Sequence, residues 1–203
     1  NTRYAIVRFV KWDAWHDTEL VGGFSLDQKR ELVARLQKHM KVFISSESEL
    51  PADLEPFRIQ IPIERMHDVQ AAASLFVGES ATMASESVVL GTPAIYIDEV
   101  GRGYTDEEAC EQLLWMYRPV PSRQELKSDE PNWISGGVKE CIEKAEEIAA
   151  DFDYTAYNQR YQNWLATKID CTAFLTWFIE NYPASQQETR ENQENAAFWA
   201  QFK

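Results

Sequence analysis

Ser80, Ala81 and Thr82 follow a short apolar run, Leu75 to Val77, that ends in Gly78, and they open a small-residue helical pattern lasting to Leu90. Gly91 and Pro93 then lead into a second apolar run to Ile97. The pattern predicts strand, tight turn, helix and strand, one βαβ unit. Backbone N–H groups and the positive end of a helix at such a turn suit an anion, typically a phosphate. The hydroxyls of Ser80 and Thr82 add donors, although a serine there also caps a helix with no ligand at all. Glu86 lies at i+4 from Thr82, on the same helix face. A carboxylate there can accept two hydrogen bonds from a ribose diol. Its neighbours Met83, Ala84, Val88 and Val89 are small or apolar, which predicts a packed helix, and an idle carboxylate buried in one would be costly.

Arg8, Lys11 and His16 flank the end of the first apolar run, residues 4–10. A cation near a phosphate is expected on Coulomb grounds; an ion pair with one of the many acids is the alternative. His16, between Asp13 and Asp17, is placed for general acid–base catalysis tuned by carboxylates. The same acid–histidine–acid spacing permits a metal ion or a merely solvated loop. Asp98, Arg102 and Tyr104 sit in the loop after the βαβ unit, and His67-Asp68 opens a short predicted helix. Gly101 and Gly103 do not make a dinucleotide fingerprint, because the third glycine position holds Asp106.

Further elements must position these residues. Residues 4–10 and 41–46 read as strands, and residues 58–61 as a third between Pro56 and Pro62. Ser25 with Gln28 forms a predicted capping box for a helix carrying Leu32, Val33 and Leu36. A helix from about Thr105 is expected to carry Ala109, Leu113 and Met116, with a last short strand at 117–120. Strands alternating with helices predict an α/β fold, a doubly wound parallel sheet of Rossmann-like type, with ligands at the carboxyl ends of its strands. After Pro131 the pattern is helical only: Val138, Cys141, Ile142, Ala145, Ile148 and Ala149 mark one helix, Tyr157 to Leu165 another, and Asp170 caps a third. Ser185 with Glu188 is the predicted cap of a last one, ending in Phe198, Trp199 and Phe202. The expected organisation is a Rossmann-like ligand-binding domain over 1–150, helices packing back on it over 151–183, and a terminal amphipathic helix over 184–203. The late aromatics read as core, docked on this domain, on another domain or on a second copy, as in a homodimer.

The chain carries 33 acidic and 20 basic side chains, a net charge of −13. That balance argues against a nucleic-acid or anionic-membrane surface but leaves room for a small phosphate ligand. Cys110, Cys141 and Cys171 have no CxxC spacing and suit reduced thiols in a cytoplasmic protein. No apolar run approaches the length of about 20 residues that a spanning helix needs. The sequence opens Asn1-Thr2-Arg3 and enters a strand at Tyr4 without an initiator methionine, as expected of the C-terminal part of a longer protein.

The run Glu79-Ser80-Ala81-Thr82-Met83-Ala84-Ser85-Glu86, followed by Leu90-Gly91-Thr92-Pro93, resembles the nucleotide-binding unit in the C-terminal half of GT-B glycosyltransferases and UDP-N-acetylglucosamine 2-epimerases. The resemblance extends to an uncharacterised prokaryotic family of that superfamily through VRFVKWDAWHD (7–17), KVFISSESELP (41–51), His67-Asp68, Gly103-Tyr104-Thr105 and KIDCTAFLTWFIENYP (168–183). It implies a GT-B C-terminal domain that holds a nucleotide sugar, a UDP-sugar as substrate with no cofactor and no required metal. It implies nucleotide contacts from Arg8, Lys11, Glu79, Ser80, Ala81, Thr82 and Glu86, with Glu86 on the ribose. Asp98, Arg102 and Tyr104 fall near the sugar, and His16 is the catalytic candidate. The acceptor side belongs to a missing N-terminal GT-B domain of the same protein, and surface polysaccharide synthesis is the expected setting. Against the 2-epimerase pattern, Glu79 replaces an aspartate, Ala81 and Thr82 replace two glycines, and a basic run after the first strand is absent. A non-catalytic α/β module for nucleotide-sugar sensing or protein assembly is the alternative.

Overall fold

The computed structural model describes residues 2–11 and 23–203. Six strands, β1 (Tyr4–Phe9), β2 (Lys41–Ser46), β3 (Leu75–Gly78), β4 (Ala94–Ile97), β5 (Leu114–Tyr117) and β6 (Ile134–Gly136), form one sheet in the order β2-β1-β3-β4-β5-β6. Every neighbouring pair is parallel. Such strands are buried on both faces and therefore read as nearly unbroken apolar runs. By alternation, Ala5, Val7, Phe9, Ile44, Val77 and Ile97 face the helices α1 (Leu26–Gln37) and α5 (Val138–Ala150), which pack together over one side. Ile6, Phe76 and Tyr96 point the other way and are equally buried, beneath the side that carries α2 (Met66–Ala71), α3 (Ala81–Val89) and α4 (Gly103–Cys110). The doubly wound α/β expectation holds. The connection after β1 runs over one face and the connection after β2 over the other, so strand order reverses between β1 and β3. That is the topological switch point, where ligands of open α/β sheets bind.

Local chemistry sets the helix ends. The Ser25–Gln28 capping box forms as expected, with Ser25 N donating to Gln28 Oε1 at 2.8 Å. Helix α3 stops in a Schellman motif: Gly91 at φ 87° lets Gly91 N reach Val88 O at 2.9 Å and Thr92 N reach Ser87 O at 2.8 Å. Helix α4 ends the same way, with Gln112 N on Ala109 O at 3.1 Å and Leu113 N on Glu108 O at 3.0 Å, but the left-handed residue is Gln112 at φ 57°.

Four sequence expectations are corrected. Residues 58–61 form no strand; a single bridge, Arg58 to Ile44, stands there, because the segment lies between two short 3-10 turns, Glu55–Phe57 and Ile63–Arg65. Leu113 and Met116 belong not to a helix but to the β4–β5 region, since α4 ends at Cys110 and the apolar run after it is β5. The last strand lies at Leu114–Tyr117 rather than 117–120, and β6 follows where only helices were expected. The terminal segment is two helices rather than one: α8 (Ala184–Glu191) and α9 (Ala196–Ala200).

The described residues fall into two compact units, Asn1–Arg160 and Tyr161–Lys203, with α6 (Tyr154–Leu165) running from one into the other. In the second unit Asp170 caps α7 (Cys171–Glu180) through Ala173 N at 3.0 Å, as expected. Ser185 does not cap α8; it is fully buried and donates to Phe178 O at 2.6 Å. Asn195 breaks the tail by accepting from Ala197 N and Phe198 N at 3.1 and 3.4 Å, the local competition with helix that asparagine offers. Phe174, Trp177, Phe198 and Phe202 then close an aromatic cluster with neighbouring ring centroids 5.2–6.1 Å apart.

The two Schellman ends differ in one residue type, and that yields a test. A non-glycine residue in the left-handed region is strained by about 1–2 kcal/mol, and glycine gives back part of that in backbone entropy. Gln112→Gly should stabilise the protein by about 0.5–1 kcal/mol. A denaturant melt that shows lower stability would mean that the Gln112 side chain contributes more than its backbone costs.

Candidate functional site

The switch point is occupied by a side chain. Glu79 follows β3, and its side chain is wholly inaccessible. Its Oε2 accepts from Val10 N at 2.9 Å and its Oε1 from Phe24 N at 2.7 Å. These two amides bracket the connection between β1 and α1. Lys29 Nζ, one turn into α1, lies 4.0 Å from Oε1 and 4.6 Å from the centre of the Phe9 ring. Burial outweighs Lys29 and the two amides, so the Glu79 carboxyl titrates above its ordinary value of 4.5.

The other candidates near β1 are also held by the protein. Arg8 Nη1 donates to Ser45 Oγ at 2.7 Å and Nη2 pairs with Glu47. The Lys11 backbone N–H reaches the second Glu47 oxygen at 3.0 Å. Arg8 thus takes the ion-pair alternative. On its other side β3 approaches closely: a Cβ at Gly78 would stand 2.8 Å from both Arg8 Cβ and Arg8 O. His16, with Asp13 and Asp17, lies outside the described residues.

At the start of α3, Ser80 is the N-cap and its Oγ accepts from Met83 N at 3.4 Å. Ala81 and Thr82 are the first helical residues, whose amides have no intrahelical acceptor. Glu86 is not the enclosed carboxylate that a packed helix predicts; its side chain is 36% exposed, and His67 Nε2 lies 3.5 Å from Oε1. The inner face of α3 is Ala84, Ser87 and Val88, and Glu86 stands on the other. There the structure brings Thr82, Ser85, Glu86, Val89 and Leu90 together with His67 of α2 and Tyr104 of α4 around one pocket of about 510 Å³. Ser85 is fixed by donating to Glu108, which is buried.

The three residues expected near a sugar separate. Tyr104 joins the Glu86 pocket. Asp98 is buried, accepts from the Tyr96 hydroxyl, and offers its carbonyl to Arg118 Nη1 at 3.1 Å. Burial first, then the bond to Asp98, raises the Tyr96 hydroxyl far above the range in which it would ionise. Arg102 is the N-cap residue of α4; its Nη1 donates to Val100 O and Gly101 O, both at 3.2 Å. Sequence reasoning missed Lys29, Glu108 and Arg118. Lys29 alone left a signal, four residues past the Ser25 cap.

Among the described residues, no group of three or more His, Cys, Asp or Glu side chains is placed to hold a metal ion, and no helix is long and apolar enough to cross a membrane. The three cysteines are free thiols.

No protein-family model matches the chain, and no curated protein is similar to it in sequence. Among solved structures it is similar to a glycotransferase of kitacinnamycin, at 11% identity and a TM-score of 0.44, over 77% of this chain and 37% of that one. The fold assignment rests on the sheet order, and nothing about activity follows from a likeness at that level.

The Glu79 clasp makes a pH-dependent prediction. Glu79→Gln keeps the shape but turns one acceptor into a donor facing a backbone N–H, a loss of about 1–3 kcal/mol. Because the folded-state pKa of Glu79 is raised, its contribution is fully present below 4.5 and declines as pH rises through the folded value. Urea melts of wild type and variant should therefore differ most at acid pH and converge as pH increases; a gap that widens with pH would show that the ionised carboxylate is the stabilising form.

Proposed function

We propose that this chain binds a nucleotide sugar, a UDP-sugar, as the donor half of a GT-B-type glycosyltransferase or epimerase-like enzyme whose acceptor side is another domain. The observation that carries the reading is the shared pocket of Thr82, Glu86 and Tyr104. It places a first-turn residue of α3, a carboxylate one turn further on and an aromatic ring around one space. A diphosphate would take the amides of Ala81 and Thr82 and the positive end of α3. Glu86 would accept from the ribose hydroxyls, with His67 beside it. Displacement at the anomeric carbon releases UDP, and the helix end stabilises the leaving charge without a metal. His16 stays the proposed acid–base residue.

Two observations favour the alternative, a non-catalytic sensing or assembly module. Glu79 puts a buried carboxylate at the switch point, and Arg8 is already paired with Glu47.

Calorimetric titration with UDP and with its 2′,3′-dideoxy analogue separates the readings. Wild type should bind UDP, and Glu86→Gln should weaken it by about 1.5–3 kcal/mol, a factor of roughly ten to a hundred. The dideoxy analogue should bind both proteins equally. Equal UDP affinity in the two proteins would remove Glu86 from the site, and no binding by either would leave the assembly module.

A further inference from the structure

A second cavity, of about 500 Å³, opens beside the first residues of β5 and β6, at the opposite ends of these strands from the switch-point loops. Arg123 is the one charged residue among the described residues that line it. That is unexpected in a chain with 33 acidic side chains and 20 basic ones. Among the described residues Arg123 meets no carboxylate through its guanidinium. Its Nη1 donates to Ile134 O at 3.4 Å and Ser135 O at 3.0 Å, and its backbone N–H goes to Glu140 Oε2 at 2.9 Å. These carbonyl bonds tether an exposed guanidinium through Nη1 and leave its Nε and Nη2 facing no carboxylate among the described residues.

The rest of the lining is rich in donors. Gln112 and Asn132 bring amides and Ser135 a hydroxyl. The Trp133 indole N–H is enclosed and meets no acceptor. Trp115 and Trp133 are flat and largely apolar. A tethered guanidinium whose Nε and Nη2 meet no carboxylate presents paired N–H groups that match two coplanar oxygens, and aromatic side chains accommodate a flat body attached to them. We propose that this cavity binds a small planar carboxylate, with Arg123 pairing the carboxyl group and the tryptophans holding the ring or chain behind it. The site is independent of the nucleotide-sugar reading, shares no residue with the Glu86 pocket, and stands or falls by itself.

The indole N–H resonance of Trp133, assigned by its loss in Trp133→Phe, reports on the cavity. Titrating benzoate into the whole chain should shift that resonance saturably. Benzamide, of the same shape without the charge, should not. Arg123→Gln should weaken the benzoate response about tenfold or more while the other indole resonances stay in place. If that variant does not fold, Arg123→Lys keeps the charge, loses the paired N–H geometry and should weaken the response too. No saturable shift with benzoate, an equal shift with benzamide, or a response unchanged in the Arg123 variants would overturn the proposal. A response to inorganic phosphate in place of benzoate would overturn the carboxylate class.

Discussion

The Glu79 carboxylate is the constraint around which the first unit is arranged. It satisfies two amides that belong to no strand or helix, Val10 N and Phe24 N, and buried amides left without partners are rare because they are costly. One side chain therefore anchors both ends of the connection between β1 and α1. The carboxyl group is out of water, with Lys29 Nζ 4.0 Å from one of its oxygens. The centre of the crevice is consequently filled by a carboxyl group on which the Val10 and Phe24 amides are already spent, and the open polar surface lies along α3.

Helix α3 is held so that this surface has a defined shape. Gln70, fully buried on α2, donates to Met83 O and Ser87 Oγ, both at 3.0 Å. Ser85 is tied to Glu108 of α4. These bonds fix the rotation of α3 about its axis, and rotation decides which side chains face outward. Thr82, Glu86 and Val89 then form one ridge between His67 and Tyr104. A polar stripe of modest length is enough, because the apolar inner face is already buried against β3 and β4.

The sheet was legible because parallel strands buried on both faces leave continuous apolar runs, and the helix starts were legible because Ser25, Ser80 and Asp170 each supply a side-chain acceptor. What failed was local ambiguity. The run from Leu113 to Tyr117 satisfies helix and strand patterns alike, and only pairing with β4 resolves it. Strand β6 is three residues long and ends in Gly136, too little for any periodicity. In the site, the sequence located the right segment but misjudged its carboxylates. Glu79 and Glu86 flank the same turn; the fold buries the first and exposes the second, which depends on long-range partners at Val10 and Phe24 that no local pattern encodes.

The ends of the sheet close it to extension. Beyond β2, Ile59 N donates to Ile44 O at 2.8 Å, so a non-strand segment already takes the ladder position there. Beyond β6, Arg123 covers the carbonyls of Ile134 and Ser135, and that strand is only three residues long. Open ladders are templates on which other chains add strands and aggregate. Among the described residues, a lone bridge interrupts the β2 edge and a guanidinium covers part of the β6 edge, so neither flank presents its strand as one continuous free ladder.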